Sequence, residues 1–135
     1  MPELIGGVDQ RRRPLLRVPV PGKDDILTII DTAFTGEVLM DEDTARTFDV
    51  LLLDVGAAIE LGDGTRRDVN QGLLTVVWFG AERDVTVQVV PRDPLKDRRI
   101  IGDGEPVALL GTELIAPDRL TIDFGTSLVT IYRTS

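Results

Sequence analysis

Residues 84–91, Asp-Val-Thr-Val-Gln-Val-Val-Pro, put Val85, Val87 and Val89 on one side of an extended chain and Thr86, Gln88 and Val90 on the other. A period of two, carried by β-branched residues, fits a half-buried strand and does not fit a helix. The same character recurs in "PLLRVPV" (14–20), "ILTIIDT" (26–32), "GEVLM" (36–40), "GLLTVVWFG" (72–80) and on both sides of "GTS" in "RLTIDFGTSLVTIY" (119–132). The run Ile26–Ile30 is apolar at nearly every position, which predicts a strand buried on both faces. Turn signals separate these segments: "PGKDD" after residue 20, Gly62-Asp63-Gly64, and "GAER" at 80–83. One helix is predicted over about 42–48, where "DEDTART" puts acidic residues at the N-terminal end of the helix dipole. "VALLGTELIA" (107–116) reads as a strand running into a second short helix, and the polar, Gly/Pro-rich residues 92–106 as a surface loop. The sum is one mainly antiparallel all-β domain over residues 1–135, a small barrel or sandwich with one or two short helices.

Composition narrows the chemistry more than the fold. The chain has 135 residues, enough for one domain with a core, and a net charge of −8. That balance opposes nucleic-acid binding, and the cluster Arg11–Arg13 reads as a solvated strand entry. No apolar run approaches the roughly 20 residues that span a bilayer, and "MPELIGGVDQRRRP" lacks the apolar core of a signal peptide. A cytoplasmic protein with no membrane and no nucleic-acid partner is expected. There is no Cys and no His, and the only serines are Ser127 and Ser135. Thiolate nucleophiles, cysteine–zinc sites, disulfides and Ser-His-Asp hydrolysis are thereby excluded. Asp54, Asp63, Asp97, Asp103, Asp118 and Asp123 are scattered without calcium-loop spacing, so neither a metal nor another cofactor is expected. Any catalysis falls to carboxylates, Lys, Tyr or Thr.

One carboxylate stands out. Asp31 ends the most hydrophobic run of the chain, and burying a charge is costly unless it is paired or shares a proton. An aspartate that closes a strand through an Asx-turn would also read this way. Downstream of Asp31-Thr32-Ala33 come the Gly62-Asp63-Gly64 hairpin signal and then Leu109-Leu110-Gly111 followed by "TELIAPDRLTIDF". In this order, over about residues 14–132, the chain resembles the retropepsin-like aspartic proteases of single-domain prokaryotic type. The resemblance implies a small closed acid-protease barrel. It implies Asp31 as the catalytic carboxylate, with Thr32, Ala33, Leu109, Leu110 and Gly111 supporting it. It also implies a substrate-covering flap at Leu61, Gly62, Asp63, Gly64 and Thr65. Ala33 departs from the family, whose triplet normally ends in Gly. By position, Phe34, Leu61, Thr65 and Val107 are expected in the pocket wall, and Trp78 in the core or at an interface.

The chemistry needs two carboxylates about 3 Å apart sharing one proton, one acting as base on water and the other as acid on the carbonyl. The chain holds one such motif. A C2 homodimer supplies the second Asp31 by symmetry, with Thr32 near the axis. The expected activity is hydrolysis of an extended peptide or protein substrate. The competing expectation is a peptide-binding or dimerisation module that keeps the fold without activity.

Overall fold

The computed structural model describes residues 3–60, 66–91 and 105–134, with backbone only for 54–60 and 66–69. Ten strands and two short helices follow one another: β1 (Glu3–Val8), β2 (Pro14–Val18), β3 (Ile26–Ile30), β4 (Val38–Asp41), α1 (Glu42–Thr47), β5 (Leu51–Glu60), β6 (Arg66–Trp78), β7 (Ala81–Val90), β8 (Ala108–Leu110), α2 (Thr112–Ile115), β9 (Arg119–Asp123) and β10 (Leu128–Tyr132). The protein is mostly β. No helix among the described residues is long and apolar enough to cross a membrane.

The strands form one sheet in the order β5-β6-β7-β4-β8-β3-β2-β1-β10-β9. The expected closed barrel is therefore corrected: the sheet is open, with β5 and β9 at its two edges. It does curl, so that Val77 N–H bonds to Pro19 O at 2.8 Å and β6 comes down beside the end of β2. That contact does not propagate into a ladder. Pro19 and Pro21 have no N–H to donate, so the segment after Val18 cannot serve as a paired strand.

The core lies inside the curl. Val85, Val87 and Val89 are buried as their alternation predicts, together with Leu110, Leu114, Val129, Ile131 and Trp78. Each large side chain so buried contributes roughly 1.5–3 kcal/mol. β3 alternates instead of being buried throughout: Ile26, Thr28 and Ile30 face the core, while Leu27 and Ile29 are half-buried on the other face. Thr28 is tolerated inside because its hydroxyl donates to Leu16 O at 2.8 Å.

Some boundaries move. β3 stops at Ile30 instead of residue 32, and β4 starts at Val38 instead of residue 36. β1 had no expectation attached to it; its two glycines conceal a strand that pairs with β10. The β6–β7 turn sits at Phe79-Gly80, with φ of 52° and 78°, instead of at "GAER". A left-handed Phe is disfavoured in such a two-residue turn. Here the ring is only 3% exposed and meets Trp78 edge-on at 5.7 Å, and that burial compensates the backbone.

α1 forms close to where the acidic run predicts. Asp41 caps it, accepting Thr44 N–H at 2.8 Å, and only Ala45 of the helix is buried. With so little packing, the cap matters. Asp41→Ala should cost about 1 kcal/mol in chemical denaturation without altering the sheet.

Candidate active site

Asp31 sits directly after β3, where a narrow three-strand arrangement holds it. β8 lies between β3 and β4, parallel to the first and antiparallel to the second. Asp31 N–H donates to Leu110 O at 2.9 Å, extending the β3–β8 ladder by one residue. The chain then turns. Phe34 N–H returns to Asp31 O at 3.1 Å, and Ala33 N–H donates to the Asp31 carboxylate Oδ1 at 2.9 Å. The Asx-turn that offered an ordinary explanation of Asp31 is thus present. It also orients the carboxyl, which is half-buried, while Thr32 and Ala33 are exposed.

The segment from Leu110 to α2 forms a plate behind this turn. Thr112 N–H donates to Phe34 O at 2.9 Å, Gly111 N–H to Glu37 O at 2.9 Å, and Glu113 N–H to Gly36 O at 3.2 Å. Gly111 is required by the close approach. A Cβ there would collide with the Gly36 carbonyl and stand 2.7 Å from Phe34 O. Leu110 is fully buried beneath the plate. The sequence-predicted residues Asp31, Thr32, Ala33, Leu110 and Gly111 are therefore brought together in one unit. Leu109 points the other way, half-buried on the sheet face opposite the core.

That opposite face carries a row not expected from sequence. Leu15, Ile29, Leu109 and Leu39 occupy matching register positions on β2, β3, β8 and β4, followed by Gln88 on β7 and Gln71 on β6. Strand alternation brings Asp31 out on the parity of Ile29, so the carboxyl stands at the end of this half-apolar face. The period-two pattern of β3 and β4 was the available signal, obscured because both faces are apolar.

Glu37 is another residue missed from sequence. Its carboxylate accepts Thr86 N–H at 2.8 Å and Arg83 Nη2 at 3.0 Å, pinning the end of the turn to β7. Phe34 and Val107, expected in the pocket wall, both pack within the chain. Phe34 is 7% exposed and its ring packs over Gly36 behind the turn, where it serves the plate and not a pocket. Val107 is half-buried, packs on the core and donates its N–H to Leu27 O at 2.9 Å. The flap residues Leu61, Gly62, Asp63, Gly64 and Thr65 lie outside the described residues. Their arms are described: β5 and β6 pair from Leu51↔Leu73 to Glu60↔Arg66, with a register slip between Leu53 and Gly56.

Three cavities bounded by described residues lie beside α1 (about 640 Å³, including Arg46, Leu51 and Leu52), along β1–β2 (about 420 Å³), and between Pro21 and Leu73 (about 500 Å³). Asp31 lines none of these three. Among the described residues no group of three or more His, Cys, Asp or Glu converges to hold a metal. No protein-family model matches the chain, and no curated protein matches it.

The alanine at position 33 is conformationally ordinary. Among the described residues the non-glycine positions with positive φ are Arg12, Asp49, Phe79 and Ser127; Ala33 is not one of them. Nothing in its backbone demands glycine. Ala33→Gly should therefore lower stability by about 0.5–1 kcal/mol, through the greater freedom of the unfolded chain. It should not reduce whatever activity the wild type has, as thermal melts and peptide digests will check.

Proposed function

We propose that the protein is an aspartic endopeptidase of the retropepsin-like type, active as a homodimer in which the two copies of Asp31 form the catalytic dyad. The observation that carries this reading is the Asp31 turn itself. A carboxyl at the open end of a β3–β8–β4 arrangement, oriented by Ala33 N–H, is backed by a glycine plate that leaves no room for a side chain. The chain has no His or Cys with which to hydrolyse a peptide by another common route.

In this reading one Asp31 takes a proton from water and the other protonates the scissile carbonyl oxygen. Substrate binds extended across the face bearing Ile29, Leu109 and Leu39, which favours apolar side chains beside the scissile bond. The β5–β6 hairpin covers it. The test is a peptide-library digest over roughly pH 3–8, a range that brackets ordinary carboxylate titration. A bell-shaped profile is expected, because one carboxyl must be ionised and its partner protonated. No cleavage by a confirmed dimer would favour the silent binding module instead.

A further inference from the structure

The geometry points to β9 as the strand through which two copies of this chain join, antiparallel, about a two-fold axis at Thr121. This inference rests on the homodimer of the proposed function and supplies its interface. Among the described residues, β9 is the last strand of the sheet order and has β10 on one side only. Its outer residues Arg119, Thr121 and Asp123 are exposed, while Leu120 and Ile122 pack partly against the core and remain half-open. An edge with unpaired backbone groups is a template for another strand, and proteins commonly protect such edges with charge.

The charges on β9 do the reverse. A two-fold axis perpendicular to the sheet keeps the core faces of both copies on one side and forces residues of equal parity to face each other. Of the registers this permits, the one centred on Thr121 pairs all five residues of β9. It sets Arg119 of one copy opposite Asp123 of the other, twice, and Leu120 opposite Ile122, twice. Opposite charges directly across a ladder attract, and apolar pairs close over the core face.

Both charged groups are ready for this. Arg119 lies over the Tyr132 ring at 5.6 Å and has no ion-pair partner among the described residues of its own chain. Asp123 accepts Thr126 N–H at 3.2 Å and Gly125 N–H at 2.9 Å, and these bonds hold its carboxyl below the usual carboxylate range. Phe124, 58% exposed at the end of β9, then falls opposite residue 118 of the other copy. The other sheet edge is a poorer candidate. β5 carries the slip at Leu53/Gly56, and such an irregularity bends an edge away from regular pairing.

The experiment exploits the absence of cysteine. Thr121→Cys gives each chain one thiol, and the register puts two of them face to face. Facing Cα atoms in an antiparallel ladder are about 4.5–5.5 Å apart, within disulfide range. Mild oxidation should yield a covalent dimer on a non-reducing gel, whereas Leu52→Cys on β5 should not. In sedimentation, Arg119→Asp and Asp123→Arg should each weaken dimerisation at least about tenfold, since each turns two attractions into repulsions. The double swap Arg119→Asp/Asp123→Arg should restore it, with circular dichroism confirming the fold of each variant. A wild-type dimer indifferent to both single reversals, or failure of Thr121→Cys to crosslink, overturns the inference. So does a double swap that folds but does not dimerise. Asp31-dependent peptidase activity surviving such a result would leave the proposed function standing; a β9-linked dimer without activity would do the opposite.

Discussion

Asp31→Asn is expected to abolish peptide hydrolysis while leaving the fold and the dimer intact. Asparagine keeps an oxygen where Asp31 Oδ1 accepts Ala33 N–H at 2.9 Å, so the turn retains its bond. The backbone anchors, Asp31 N–H to Leu110 O and Phe34 N–H to Asp31 O, do not involve the side chain. What is lost is the ability to take a proton from water, and in a homodimer it is lost on both sides. General acid–base catalysis by one positioned group is worth about 10²–10⁴ in rate, and here both the base and the acid are lost, so a fall of at least about a thousandfold, or ~4 kcal/mol of barrier, is expected. Dimer affinity should not fall and can rise, because two nearby carboxyls repel once both ionise. A digest of wild type and variant by the same library, with sedimentation of both, reads the two effects separately. Equal cleavage by the two proteins would assign the activity to a contaminant or another mechanism.

Gly111→Ala should damage stability and the site together. The added methyl has to displace the Gly36 carbonyl and the Phe34 carbonyl, which are backbone groups held by α2 and cannot swing aside like a side chain. Overpacking of this kind costs about 1–3 kcal/mol, and the upper end is expected because two of the three colliding atoms are backbone and the third belongs to the buried Phe34 ring. The relaxation available is a shift of the 33–37 turn away from β8, which carries the Asp31 carboxyl with it. Misplacement by about 1 Å can cost on the order of a hundredfold in rate. The folded fraction should therefore be nearly inactive, not merely scarce. Gly7→Ala is the control: its Cβ would meet only Ser127 O at 3.5 Å, an ordinary contact, and should be close to neutral in urea unfolding.

How much of the molecule is legible in its sequence differs from element to element. The alternation of residues 84–91 named β7 and its buried valines, because a period of two leaves one solution for which side faces the core. The acidic run placed α1 within one residue, since negative charge acts locally on the first turn of a helix. The absence of His and Cys confined the chemistry to other groups on composition alone. The grouping of Asp31, Thr32 and Ala33 with Leu110 and Gly111 was expected only through resemblance. About 80 residues separate the two segments, and the hydrogen bonds that join them are between backbone atoms, which every residue possesses.

Other features depended on the tertiary structure alone. β1 contains Gly6 and Gly7 and has weak strand character by itself; it is a strand because β10 offers five consecutive partners. Phe79 adopts a left-handed turn because the core gains a ring, a compensation that no local rule contains. Closure or opening of the sheet was equally beyond a local reading, since it turned on whether the segment after β2, with its two prolines, could accept β6 as a neighbour. Which face of β3 met the core was ambiguous while both faces were apolar; only the register with β8 and β2 put Ile29 outward beside Asp31. Sequence patterns state what a segment prefers to bury, whereas a partner strand distant in the chain decides which surface is covered. Local propensities are set residue by residue, and the faces, edges and axis of a sheet exist only once its strands have paired.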